Sequence, residues 1–294
     1  ADAAIIVIDA QSGIEVGTEL AWKYAQQASL PVMFLLNRMD RDNIDFADVV
    51  RELSTAFGPV AALQLPYGVG ANYTGVVDLL SLNGVHFTKN QRTLEDCPGS
   101  LADEASSLRD GLLDAVVSVD DDLTEKYLDD QEITEAEMKT ALHLGVRERS
   151  VFPLLCMAST ENLGTAEILN AIVDILPSAN ESLENPNGDG KLSALAFKTI
   201  VDPQLGHQTF LKVVSGELTS NTTAHNISKH TDERVGHLLC PIGRDHAEVT
   251  SLSAGDICTV AKLSGTLTGD TLTADKNGTG LPGIDFPSPN MALA

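Results

Sequence analysis

Two hydrophobic patterns alternate along the first 60 residues. Short unbroken apolar runs, Ala3-Ala4-Ile5-Ile6-Val7-Ile8 and Val32-Met33-Phe34-Leu35-Leu36, read as strands buried on both faces, as in a parallel sheet. After each run the apolar residues take helical spacing. Leu20, Ala21, Tyr24 and Ala28 mark the expected core face of a helix over residues 17–27. Phe46, Val49, Val50 and Leu53 mark one over residues 45–57, which Gly58-Pro59 stops, while Pro31 ends the first crossover. The order β-α-β-α predicts a doubly wound parallel sheet.

Residues 60–150 break that rhythm. Residues 61–65 suit a strand, and residues 76–80 and 85–87 suit short antiparallel strands. Three helical stretches follow: residues 101–117 with Leu108, Leu112, Leu113, Val116 and Val117 on a stripe, residues 121–128, and residues 134–149. The last opens with Thr134 and Glu137 in a capping-box pattern. The block is long for a crossover and is expected to be an inserted α+β subdomain over about residues 66–150. The parallel pattern then returns. Residues 151–156 read as a buried strand, and residues 165–176 as a helix with Ile168, Leu169, Ile172, Val173 and Leu176 facing the core.

A polar stretch with Pro186, residues 178–191, reads as a linker. From residue 192 the pattern becomes short strands between turns, clearest at 195–200, 209–214 and 257–261. This predicts an all-β barrel over residues 192–280. Residues 280–289 are rich in Pro and Gly, and residues 281–294 are expected to lead into a third domain that this chain lacks.

Composition narrows the function classes. The net charge is −23, and nearly all of the excess lies before residue 194, which argues against non-specific nucleic-acid binding by the first half. No apolar run approaches the roughly 20 residues that span a bilayer, and no signal peptide is recognisable. The four cysteines are scattered without a Cys-x-x-Cys pair, which fits reduced thiols in a cytoplasmic protein better than a disulfide framework. Five of the seven histidines follow residue 200. His225 and His230 have no Cys or carboxylate cluster around them to make a zinc site. Asp120-Asp121-Asp122 reads as N-terminal charge on a helix, in preference to a metal site.

The candidate chemistry sits at residues 37–40, Asn37-Arg38-Met39-Asp40, immediately after a predicted buried strand. Ligands of open α/β sheets bind at the carboxyl ends of strands. An Asp carboxylate accepts two parallel hydrogen bonds, and guanine presents such a donor pair on N1 and N2 where adenine does not. The polar loop at residues 157–164 ends another predicted strand, so it is expected to share that sheet edge.

Several segments in order resemble the translational GTPases, most closely elongation factor G. Residues 7–19 are similar to the family's stretch after the second switch, and residues 37–41 to its N-K-x-D motif. Tyr73-Thr74-Gly75-Val76-Val77-Asp78-Leu79 looks like the start of its inserted subdomain. Asp202-Pro203-x-x-Gly206, residues 213–218, Ala254-Gly255-Asp256-Ile257 and residues 268–272 look like its second domain, and Phe286-Pro287-x-Pro289 like the lead into the third. The resemblance implies a partial P-loop GTPase domain over residues 1–177. Asp40 would hold guanine N1–H and N2–H₂. Asn37 would contact the imidazole edge of the base and brace the phosphate loop, and Arg38 would cover the base with its stem. Backbone amides near Ala158 and Ser159 would meet O6. The family usually has Lys at Arg38 and Ser-Ala-Leu at Ala158-Ser159-Thr160; both departures bear on affinity more than on base identity.

No G-x-x-x-x-G-K-[ST] loop occurs in the sequence, and the family's switch segments, with the D-x-x-G motif and the water-positioning His, are expected to lie before Ala1. The chain is therefore expected to be a fragment without catalytic residues, with GTP/GDP as ligand and Mg²⁺ only in the full-length protein. The resemblance further implies a monomer with no membrane association. Its partner would be the ribosome, both rRNA and ribosomal proteins, met through the barrel and the missing domains. Lys212, Lys229, Arg234 and Arg244 are candidates for a ribosome-facing patch. Three readings remain open: a GTP-driven translocase, a ribosomal-protection or release-factor GTPase, and a non-catalytic ribosome-binding paralogue.

Overall fold

β1 (Ala4–Asp9) is followed by α1 (Val16–Gln27), β2 (Val32–Asn37), α2 (Phe46–Phe57) and β3 (Val60–Ala62). These are the first elements of a computed structural model, which describes residues 1–88, 91–129, 131–181, 190–202, 206–243, 245–284 and 288. The chain divides into two units, Ala1–Pro177 and Ser178–Ala294.

In the first unit, β4 (Gln64–Tyr67), β5 (Gly75–Asp78), β6 (Asn83–Thr88) and β7 (Gln91–Asp96) form an antiparallel sheet in sequence order. α3 (Ala102–Val117), α4 (Asp121–Leu128) and α5 (Glu135–Arg147) lead to β8 (Phe152–Cys156) and α6 (Thr165–Ile175). β8 pairs in parallel with β2 and β3, so the second sheet runs β1-β2-β8-β3, with β1 at an edge. The helices start as local chemistry directs. The Asp45 carboxylate accepts the Asp48 amide at 3.0 Å, and Thr134 and Glu137 complete their reciprocal box. Asp120 caps α4 by accepting the Asp122 and Leu123 amides, which is the helix-terminus role expected of that acidic run. Gly58, at φ 104°, ends α2 in a conformation that disfavours any residue with a Cβ.

Between the two sheets stands one residue. The expected single strand over residues 61–65 is split: Val60–Ala62 belong to the parallel sheet and Gln64–Tyr67 to the antiparallel one. Leu63, buried between them, donates its amide to Leu154 O at 3.0 Å and accepts the Leu79 amide at 2.9 Å. Gln64 Oε1 then accepts the Cys156 amide at 3.0 Å.

The core centres on Trp22, Phe34, Phe57 and Phe152. The Trp22 centroid lies 5.7, 5.0 and 4.9 Å from the other three in that order. This cluster explains a correction to the expected face of α1. Trp22 takes the core side with Thr18 and Ala25 buried one turn to either side of it, and Leu20, Ala21, Tyr24 and Ala28, the expected core face, turn outward with Val16. Ile5 and Val7 on the edge strand are exposed as well. On α6, Ile168, Ala171 and Ile175 are buried, whereas Leu169 and Val173, also expected inside, face out.

The second unit is antiparallel throughout. β9 (Ser193–Asp202), β10 (Gly206–Ser215), β11 (Glu217–Thr219), β12 (Thr222–Asn226), β13 (Thr231–Val235) and β14 (Leu238–Ile242) come first. β15 (Asp245–Val249), β16 (Ser251–Ser253), β17 (Ile257–Ala261) and β18 (Thr271–Thr273) follow. Eight of them run β13-β12-β18-β9-β10-β17-β14-β15, and β11 pairs with β16. Inward residues such as Ala194, Ala196, Leu211, Val213, Leu238 and Val260 make its core. The buried Glu233 carboxylate accepts the Ser264 and Gly265 amides and fastens that turn. Lys212 on β10 and Arg234 on β13 are separated by β12, β18 and β9 in the ladder. Arg244, Pro203, residues 182–189 of the expected linker, and Phe286-Pro287-x-Pro289 apart from Ser288 lie outside the described residues.

Burial sorts the cysteines, all of them free thiols. Burial raises the Cys156 thiol strongly, and burial with Cys240 and Asp256 nearby pushes Cys258 up to about 12. Thiol titration of the native protein should therefore label the half-buried Cys97 and Cys240 first, and Cys156 and Cys258 only in urea. Rapid labelling of all four without denaturant would contradict this packing.

Candidate functional site

Parallel pairing places the exits of β1, β2 and β8 side by side. Asp9 stands opposite Asn37, and Leu36 opposite Cys156. The Met157 amide continues the ladder to Leu36 O at 2.8 Å, and Met157 O accepts the Met39 amide at 3.2 Å. The two loops expected to share an edge are thus joined by main chain.

Asn37 joins them a second time. Its Oδ1 accepts the Arg38 amide at 2.8 Å and the Ser159 amide at 3.0 Å. Two backbone donors on one atom fix which way the amide points, leaving Nδ2 as the donor available to a ligand. Met39 is fully buried under the turn, and its carbonyl accepts the Gly70 amide at 2.9 Å. Gly70 has φ +63°, and a Cβ there would stand 2.3 Å from Asp42 Oδ1, so the supporting turn requires glycine. Above this anchor Asp40 is half-buried, and its carboxylate makes no hydrogen bond among the described residues.

Ala158 and Ser159 are placed as expected but engaged differently. The Ala158 amide is donated to Leu163 O at 3.0 Å, in a bridge closed by the Leu163 amide. The Ser159 amide is held by Asn37. Both amides are thus already engaged within the protein. Ala158 is fully buried and Ser159 exposed.

A cluster that sequence reasoning missed lies beside residues 37–40. Arg38 Nη1 contacts Asp9 Oδ2 at 2.7 Å, and Arg41 Nη1 reaches the same oxygen at 3.5 Å. The Gln11 amide donates to Asp9 Oδ1 at 3.0 Å, and Gln11 Nε2 donates to Asp42 O at 3.2 Å. Burial raises the Asp9 carboxyl, but the hydrogen bonds from Arg38 and Gln11 and the charges of Arg41 and Arg38 outweigh it and hold the group below its ordinary value. The pairing is present above the ordinary carboxylate range and is lost as pH falls through the lowered value. Strand-end register was the available signal, since an acid one strand away faces two arginines around the motif.

A cavity of about 630 Å³ between α4 and α5, lined by Asp122, Glu125, Lys126, Asp129 and Glu137 among others, shares no residue with these loops. Among the described residues no cluster of three or more His, Cys, Asp or Glu side chains is arranged to hold a metal ion.

Comparison with known proteins agrees with this architecture. Residues 1–178 match the family model of the elongation factor Tu GTP-binding domain, and residues 191–275 match elongation factor G domain 2. A crystal structure of a protein from Thermus thermophilus superposes with a TM-score of 0.88 at 28% sequence identity, over 99% of this chain. The chain spans 43% of the length of that protein. With a parallel sheet followed by an antiparallel domain of the matching kind, the chain belongs to the elongation factor Tu GTP-binding domain family and resembles elongation factor G.

Proposed function

We propose that the chain is the guanine-reading portion of a ribosome-associated GTPase that drives translocation of tRNA and mRNA in the cytoplasm. The observation carrying this reading is the paired loop: Asn37 ties the β2 exit to the β8 exit and leaves the Asp40 carboxylate unengaged above a buried Met39. Asp40 accepts guanine N1–H and N2–H₂, Asn37 Nδ2 donates to the imidazole edge, and the Arg38 stem covers the base. The match to elongation factor G domain 2 supports the translocase over other members of the superfamily.

Phosphate contacts and Mg²⁺ belong, in this reading, to residues outside the chain. The exposed edge strand with Ile5 and Val7, and the outward Val16, Leu20 and Tyr24 of α1, are apolar surface of the kind a further layer of the domain covers.

In the full-length protein GDP should displace a fluorescent GDP analogue better than ADP by on the order of 10⁴-fold, because a site built for hydrogen bonds rejects a base that lacks them. Equal competition by ADP would sink the assignment. The isolated chain should release no phosphate from GTP above the buffer rate. Protein-dependent turnover would place hydrolytic groups within it.

A further inference from the structure

We propose that Asp9 is a positioning residue for guanine recognition: it grips Arg38 and so holds the strained turn that aims Asp40. The inference rests on the base-reading role proposed above for Asn37 and Asp40.

Arg38 has φ +66°, a left-handed conformation that a long side chain rarely adopts. It lies two residues before Asp40, so its backbone angles set where the Asp40 carboxylate points. Strain of this kind persists where surrounding contacts over-determine it. Two such contacts act on Arg38 directly: Asn37 Oδ1 takes its amide, and Asp9 takes its guanidinium. The Arg41 amide closes the turn onto Arg38 O at 3.0 Å, and the Arg41 guanidinium also leans on Asp9.

An exposed ion pair between flexible side chains would contribute little. This one is anchored on one side. The Asp9 side chain is only 14% exposed, against 49% for Arg38. Asp9 is fixed at the last position of β1, in register with Asn37, and Ala10 beyond it donates to Asn37 O at 2.9 Å. Both carboxylate oxygens are used, one on the Gln11 amide and one on the arginines. The strand end is the rigid member and Arg38 is what it holds. The planar guanidinium suits a carboxylate held in one orientation, which a lysine at this position would meet only as a point charge.

The test uses GDP dissociation constants of the full-length protein by equilibrium titration. Asp9→Asn should weaken GDP about tenfold and Arg38→Ala at least as much, since alanine also removes the stem over the base, and the double variant should lose no more than Arg38→Ala alone, because the ion pair is already gone there. Base preference should stay with guanine over xanthine in each, because Asp40 is intact. Arg38→Lys should retain affinity to within roughly threefold. Arg38 is half-exposed, so its variants remain informative if Asp9→Asn folds poorly. Wild-type affinity in Asp9→Asn, or losses that multiply in the double variant, would overturn the positioning role. Asp40→Asn is the control: if it leaves GDP affinity unchanged, the base-reading assignment itself fails, whereas a large Asp40 effect beside a silent Asp9→Asn rejects Asp9 alone.

Discussion

Asp40→Asn in the full-length protein is expected to weaken GDP by on the order of 10² to 10⁴ and to make xanthosine diphosphate the better ligand. The carboxylate offers two acceptors to two guanine donors, and hydrogen bonds to a charged group contribute about 1.5–3 kcal/mol each. The amide keeps one acceptor and turns an N–H₂ toward the guanine N2 donors, leaving both unpaired. Xanthine carries a carbonyl at that carbon, which accepts from the new donor while its N1–H still meets the amide oxygen. The structure makes the exchange clean, because Asp40 makes no hydrogen bond among the described residues that the substitution would break. Competition of the two diphosphates against a labelled nucleotide measures it. GDP affinity at the wild-type level would remove Asp40 from the role.

Phe34→Ala should destabilise the first unit by about 3–5 kcal/mol, a large share of the roughly 5–15 kcal/mol that holds a domain together. Phe34 is fully buried in the central strand that ends at Asn37. It stacks on Phe57 at 5.4 Å and on Trp22 at 5.7 Å, so alanine removes aromatic pairing as well as volume. Trp22 is the only tryptophan in the chain, and its fluorescence therefore follows unfolding from inside the affected cluster. A urea midpoint unchanged from wild type would show that the cluster closes around the gap. Phe34→Leu should cost far less, because most of the volume remains.

The elements that bury a continuous or strongly periodic apolar pattern were legible in the chain. β2, β8, α2 and the Thr134 cap fall where their residues indicate, because each rests on local spacing or on one side-chain bond. β7 was not legible. Its residues Gln91-Arg92-Thr93-Leu94-Glu95-Asp96 are all exposed, so pairing with β6 alone makes the strand. The phase of α1 escaped because Leu20 and Tyr24 have the right spacing for a core, while the partners for one lie only on the Trp22 side. The barrel showed its two long strands, β9 and β10, and the apolar β17. Short ones such as β11 and β16 carry one inward residue each and depend on their neighbours for definition. At the site, Asn37, Asp40 and Ser159 were legible as strand-end residues. Asp9 and Gln11 were not, since only sheet register brings them to the arginines.

Leu63 connects these observations mechanically. One residue carries a bond toward each sheet, and Gln64 beside it holds the amide at the end of β8. The antiparallel layer therefore has no free joint where it leaves the parallel sheet. From β8 the main chain continues to Met157, whose carbonyl accepts the Met39 amide in the turn that carries Asp40. On the base-reading role proposed for Asp40, a body that shifts the antiparallel layer is expected to change guanine affinity, and guanine to change that docking by the same factor.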